Sequence, residues 1–317
     1  MNYLKNWIPY QLKYEAGAWM VSWLNLGDHE IMEPFFDETI NICRAHMMEK
    51  SKFKSQSSID FLVQSATLSP SLQPTAFIFH VSRCGSTLLS QALAIEEKNI
   101  VIAEAPILDE ILRAGERDAE LKLTTIAQWF KAALIMMGQN RTGEKQQYFI
   151  KLDSWHLHFY GLLRSWFPEV PFYFLTREPI AIIESHEKRR GIHAVPNMIN
   201  PKLLKIDLNE SHYANFNFYT ATLLKVYYET LLAIKNEELP LNNFYDYGWG
   251  IEGMMGHFFK AVGLNGIPSQ AVSNRLAFHS KFPDQVFKAD HVGMEPTAYP
   301  ATVKAYDNLL SVLTNHS

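Results

Sequence analysis

The stretch Phe77-Ile78-Phe79-His80-Val81-Ser82-Arg83-Cys84-Gly85-Ser86-Thr87-Leu88-Leu89 leaves few folds open. An apolar run of strand type enters a tight polar loop and leaves as the start of an apolar helix. A strand that feeds a Gly/Ser/Thr loop at a helix N-terminus gathers backbone N–H groups and the positive end of the helix dipole on one point. That arrangement favours an anion. Ser86 and Thr87 bring hydroxyl donors, and Arg83 brings a cation with fork geometry.

The pattern repeats along the chain. Strands are expected at 76–81, 99–103, 147–152, 171–176 and 243–247, and helices at 86–95, 106–114, 123–138, 156–166, 179–189, 213–236 and 251–262. The strand runs are nearly all apolar, as burial on both faces demands. The expectation is therefore an α/β fold, a parallel sheet flanked by helices. Ligands bind such sheets outside the carboxyl ends of the strands, where Arg83, Glu104, Lys151 and Arg177 all fall.

The first fifty residues are aromatic-rich, with a short strand expected at Met20–Leu24 and a helix after Pro34. Lys50 to Ser58 is polar and reads as a linker or exposed loop. Residues 1–73 are expected to form a small α+β appendage packed on a main domain of residues 74–317.

The loop departs from the nucleotide triphosphate pattern G-x-x-x-x-G-K-[ST]. With Gly85 as the second glycine, His80 stands at the first and Ser86 replaces the lysine. The cation that reaches the β- and γ-phosphates of ATP is missing, which weakens a kinase reading.

Ser82-Arg83-Cys84-Gly85-Ser86-Thr87-Leu88 resembles the 5′-phosphosulfate loop of sulfotransferases that use 3′-phosphoadenosine 5′-phosphosulfate (PAPS), with Cys84 where Ser is commoner. Phe172-Tyr173-Phe174-Leu175-Thr176-Arg177-Glu178-Pro179 resembles that family's 3′-phosphate element, with Glu178 where Asp is usual, and Ser185 stands eight residues after Arg177. Tyr148–Leu152 and the Phe167-Pro168 pair fit between them, and the resemblance runs from about Pro74 to about Leu264. It implies a P-loop NTPase-like sulfotransferase fold and transfer of a sulfuryl group to a hydroxyl or amine of a small-molecule acceptor.

The resemblance also implies roles. Arg83 and residues Cys84, Gly85, Ser86, Thr87 and Leu88 would hold the 5′-phosphosulfate, and Arg177 and Ser185 the 3′-phosphate of PAPS or of its product, adenosine 3′,5′-bisphosphate. Glu104 would be the acceptor's base, Lys151 would reach the sulfate or the acceptor, and Lys281, in a late polar loop, would contact the nucleotide. The family's usual R-K-G loop is absent there. Plainer roles stand beside these: Arg83 as a surface residue of a turn, Arg177 in a salt bridge with Glu178 or Glu184, Glu104 as an N-cap or first-turn helix acid, Lys151 as a solvated strand end, and the Lys188–Gly191 run as a solvated helix end. A P-loop kinase-like phosphotransferase and a non-catalytic binder of adenosine 3′,5′-bisphosphate remain as alternatives.

With 317 residues, 47% of them hydrophobic, the chain can bury a large core. A net charge of −4 argues against nucleic acid as partner, so the positive charge an anionic donor needs must be local. Two cysteines make no disulfide framework and fit a reduced, cytoplasmic setting. No signal peptide and no membrane span is expected, and no metal is expected, since Asp153, His156 and His158 lack a ligand spacing. Oligomeric state is not legible.

Overall fold

A computed structural model describes residues 4–264, 272, 275 and 298–314. In chain order the elements are β1 (Trp7–Glu15), β2 (Ala18–Asn25), α1 (Phe36–Lys50), β3 (Gln56–Ser58), α2 (Ile59–Ala66), β4 (Ala76–His80), α3 (Ser86–Ala94), β5 (Asn99–Ala103), α4 (Pro106–Leu112), α5 (Leu123–Met137), β6 (Gln147–Lys151), α6 (Tyr160–Trp166), β7 (Phe172–Thr176), α7 (Pro179–Lys188), α8 (Glu210–Ala214), α9 (Phe216–Lys235), β8 (Asn242–Asp246), α10 (Ile251–Ala261) and α11 (Pro300–Thr314). Strands β4 to β8 form a five-stranded parallel sheet in the order β5-β6-β4-β7-β8, flanked by helices. Every residue of β4 and β7 is buried, as strands covered on both faces require.

By packing the chain divides into two compact units, residues 1–77 with 90–152, and residues 78–89 with 153–317.

In the first unit, β1, β2 and β3 form an antiparallel sheet in that order. β1 was hidden in the sequence by Pro9, which ordinarily demotes a strand. The proline sits at a register shift between Pro9 and Gln11, so the missing N–H costs the ladder little. Ala16 and Gly17 close the hairpin, both with positive φ (51° and 82°), the backbone that matches strand twist. The polar 50–58 stretch is only partly a loop. Its last three residues are β3, with Ser57 and Ser58 opposite Val21 and Met20. Hydroxyl side chains serve a short edge strand, and Ser57 Oγ accepts from Trp23 Nε1 at 2.8 Å. α1 buries Phe36, Thr39, Ile40 and Cys43, one face at helical spacing. β5 and β6 pair in parallel, with Ala103 opposite Lys151.

In the second unit, β7 and β8 pair in parallel, with Thr176 opposite Asp246. Phe79 stacks on Phe174, and Phe174 on Phe244, at centroid distances of 4.9 and 4.8 Å. The single helix expected at 213–236 is two. Asn215 is extended (φ −139°, ψ 100°) and its side chain caps α9 by accepting from Asn217 and Phe218 N–H. The helix expected at 156–166 begins as a 3-10 turn over Ser154–Phe159, closed by a capping box between Asp153 and His156.

Candidate functional site

In the second unit the loop after β4 is built from left-handed backbone. Ser82, Arg83 and Gly85 have φ of 74°, 50° and 83°. For the two non-glycine residues this costs on the order of 1 kcal/mol each, so neighbours must hold them. Ser82 N–H donates to His80 Nδ1 at 3.0 Å, and Val81 N–H to the Leu175 carbonyl at 3.2 Å. Arg177 Nη1 donates to the Arg83 carbonyl at 2.9 Å, and Arg83 Nη2 donates to the Arg189 carbonyl. Gly85 has a second reason to be glycine, since a Cβ there would meet the Tyr247 ring at 2.8 Å. Ser86 and Thr87 are the first two residues of α3, so their N–H groups lie in the first turn, at the positive end of the helix dipole. Cys84 and Leu88 are buried, and the Cys84 thiol faces the Leu175 carbonyl at 3.5 Å. Their side chains belong to the core.

Arg177 follows β7, and its guanidinium lies over the Tyr247 ring at 4.7 Å. The Tyr228 hydroxyl donates to the Arg177 carbonyl at 2.7 Å. The salt bridge with Glu178 does not form. The Glu178 carboxylate instead caps α7, accepting from Ile180 and Ala181 N–H at 2.7 Å each. Arg177 makes no ion pair among the described residues, and its charge partly offsets the upward shift of buried Asp246. Ser185 lies half-buried on α7.

Nor is the Lys188–Gly191 run a merely solvated helix end. Arg190 reaches α9, donating to the Phe216 carbonyl, Thr220 Oγ1 and Asn217 Oδ1.

At the end of β8, Asp246 is buried, accepts from Gly248 N–H and the Tyr306 hydroxyl, and is held above the usual carboxylate range by burial.

In the first unit, Glu104 and Lys151 form an ion pair. Glu104 has φ 57°, and its N–H donates to the Lys151 carbonyl at 2.8 Å, extending the β5–β6 ladder by one bond. The Lys151 side chain has no exposure while that of Glu104 retains 21%, so Lys151 is not a solvated strand end and only the acid is open to solvent. The Lys151 ammonium also stands over the Phe35 ring at 5.2 Å. The N-cap of α4 is Ala105, so Glu104 stands one residue outside the helix. Asp37, on the first turn of α1, is pushed up by burial and then by the Glu104 charge.

Lys281 lies outside the described residues. His186, Tyr247, Asp246, Phe35 and Asp37 were not singled out from sequence. Asp246 ends β8 and Tyr247 follows it, the one positional signal that could have found them.

No family model and no curated protein matches the chain. Among solved structures it is similar to a sulfotransferase from Mycobacterium avium at 10% identity, covering 81% of this chain and 80% of that one with a TM-score of 0.48. It is also similar to a sulfotransferase from Alicyclobacillus acidocaldarius at 10% identity, covering 77% and 96% with a TM-score of 0.39. A sulfotransferase domain from the curacin biosynthetic pathway matches at 12% identity, covering 78% and 98% with a TM-score of 0.41. At such identities the reading of the site rests on the residues above.

Proposed function

We propose that the chain is a PAPS-dependent sulfotransferase acting on a hydroxyl or amine of a small-molecule acceptor. One observation carries the reading. Arg177, which forms no ion pair among the described residues, is docked by hydrogen bond on the carbonyl of Arg83 in a left-handed loop that opens a helix. In this reading two anion-binding elements, a strand-end arginine and a helix-opening loop, are joined by that hydrogen bond. A nucleotide carrying phosphate at both its 3′ and 5′ ends is the ligand that needs both. The positive φ of Gly85 and the Tyr247 ring packed against it hold the loop in the turned shape on which main-chain N–H groups can converge.

PAPS supplies the sulfuryl group, and the protein supplies position and charge. In this reading Arg83 and the N–H groups of residues 84–88 hold the 5′ end, and Arg177 and Ser185 the 3′-phosphate. As the acceptor oxygen or nitrogen bonds to sulfur, the bond from sulfur to the bridging oxygen breaks. Arg83 and the helix end offset the charge left on adenosine 3′,5′-bisphosphate. Glu104 takes the acceptor's proton, and Lys151 holds the Glu104 carboxylate in place by their ion pair. No metal is required by these roles. A kinase-like reading is disfavoured because Ser86 stands where the phosphate-reaching lysine would be.

Calorimetric titration with adenosine 3′,5′-bisphosphate and with ATP–Mg²⁺ tests the reading. Bisphosphate binding that Arg177→Ala abolishes, without ATP binding, supports it and opens an acceptor screen with PAPS. A preference for ATP–Mg²⁺ returns the chain to phosphotransfer.

A further inference from the structure

We propose that His186 is a positioning residue for the phosphate loop, holding Ser82, and through it Arg83, in the geometry that receives the donor's 5′ end. The inference rests on the donor reading above. Two consecutive non-glycine residues in left-handed backbone do not hold themselves there. Both are latched to the last turn of α7 and the residues just after it. Arg83 donates through Nη2 to the Arg189 carbonyl. Ser82 Oγ lies 3.2 Å from His186 Nε2, and the other ring nitrogen, Nδ1, accepts the Gly191 N–H at 3.2 Å.

The Gly191 amide fixes the tautomer. A nitrogen that accepts an N–H carries a lone pair, so in the neutral ring the proton sits on Nε2 and is donated to Ser82. The ring is 1% exposed, so water cannot replace either bond. Its edge meets His193 at a centroid distance of 5.1 Å. A Cβ on Gly191 would come within 2.9 Å of His193 and 3.3 Å of His186, so the turn is shaped around the two rings.

The position of His186 in the chain gives the contact its use. It follows Ser185 on α7, and α7 begins two residues after Arg177. The helix assigned to the 3′-phosphate therefore also carries the residue that fixes the 5′ loop. His186 sets the register of the two phosphate elements without touching either phosphate.

The test titrates adenosine 3′,5′-bisphosphate and adenosine 3′-monophosphate, which lacks the 5′-phosphate, into wild type, His186→Asn, His186→Gln, Ser82→Ala and the double variant Ser82→Ala/His186→Asn. Asn keeps an acceptor near Nδ1 but offers Ser82 no donor; Gln places a donor near Nε2. We expect His186→Asn and Ser82→Ala each to cut the preference for the bisphosphate about tenfold, the weight of one hydrogen bond, with 3′-monophosphate affinity unchanged. The double variant loses no more than either single, and Gln restores part of the loss. Unchanged preference in a folded His186→Asn, or equal losses for both nucleotides, overturns the inference and leaves a packing role. If His186→Asn does not fold, Ser82→Ala decides by the same ratio. A wild type that binds neither nucleotide overturns the donor reading and this inference with it; a wild type that binds, with flat variants, overturns this inference alone.

Discussion

Arg177 donates to the main-chain carbonyl of Arg83 at 2.9 Å, and the same guanidinium lies over the ring of Tyr247 at 4.7 Å. One side chain thus fastens the end of β7 to the loop after β4 and uses only one of its five N–H donors in that bond. A lysine cannot do both, because a single ammonium on a flexible stem has neither the fork nor the plane that stacks. Arg177→Ala is expected to weaken adenosine 3′,5′-bisphosphate binding by roughly 10- to 100-fold, the range of a charge-assisted bond. Arg177→Lys is expected to recover less than half of that loss on a logarithmic scale. Calorimetry on the three proteins checks it, and full recovery by lysine would mean that only the charge matters.

Gly85→Ala meets two obstacles. Its φ of 83° disfavours any side chain, and the new Cβ would press on Tyr247 at 2.8 Å. The expected cost is about 1–3 kcal/mol of stability, read from urea unfolding, together with loss of bisphosphate binding. Adding Tyr247→Ala removes the clash and leaves the backbone penalty. Stability should then return in part while binding should not, since the loop still cannot adopt its shape.

The elements that proved legible from sequence are those whose signals are local. The apolar runs of β4 and β7 fix buried strands, and Gly85 with two hydroxyl residues fixes the turn and helix start, so Arg83 and Arg177 could be placed at strand ends. What escaped is set by distant partners. Nothing near His186 shows that it faces Ser82, 104 residues away, and nothing near Lys151 shows that burial pairs it with Glu104. Asn215 is a good N-cap as well as a tolerable helix residue, and only packing decides between one helix and two. Pro9 argues against the strand it occupies until the register shift beside it is seen.

The ion pair of Glu104 and Lys151 is asymmetric, with the cation wholly buried and the acid partly open. Removing the acid strands a buried charge, which is the costly way to break such a pair. Glu104→Gln is therefore expected to abolish sulfuryl transfer and to destabilise the protein by about 3 kcal/mol, while leaving bisphosphate affinity near wild type. Lys151→Met in the Glu104→Gln background should restore most of the stability and none of the turnover. Denaturant unfolding beside a turnover assay separates the two effects. A Glu104→Gln enzyme with wild-type turnover would remove Glu104 from the role of base.

Glu110 gives the fold a pH dependence of unusual sign for a carboxylic acid. On α4, it accepts the Leu12 N–H from β1, and burial pushes it from its ordinary 4.5 up to about 8, with the nearby Asp109 and Asp37 charges adding to the rise. The folded state therefore holds a proton that the unfolded chain releases. Stability is highest below about pH 4.5 as far as this group is concerned, and it falls as pH rises towards 8. Asp37 and Asp246, also raised by burial, act in the same direction at lower pH. Glu110→Gln keeps an oxygen for the Leu12 amide and has no proton to lose. It is expected to melt higher than wild type at pH 8.5, with the gap closing as pH falls to 5. A gap that stays constant across that range would show that Glu110 does not change its protonation on unfolding.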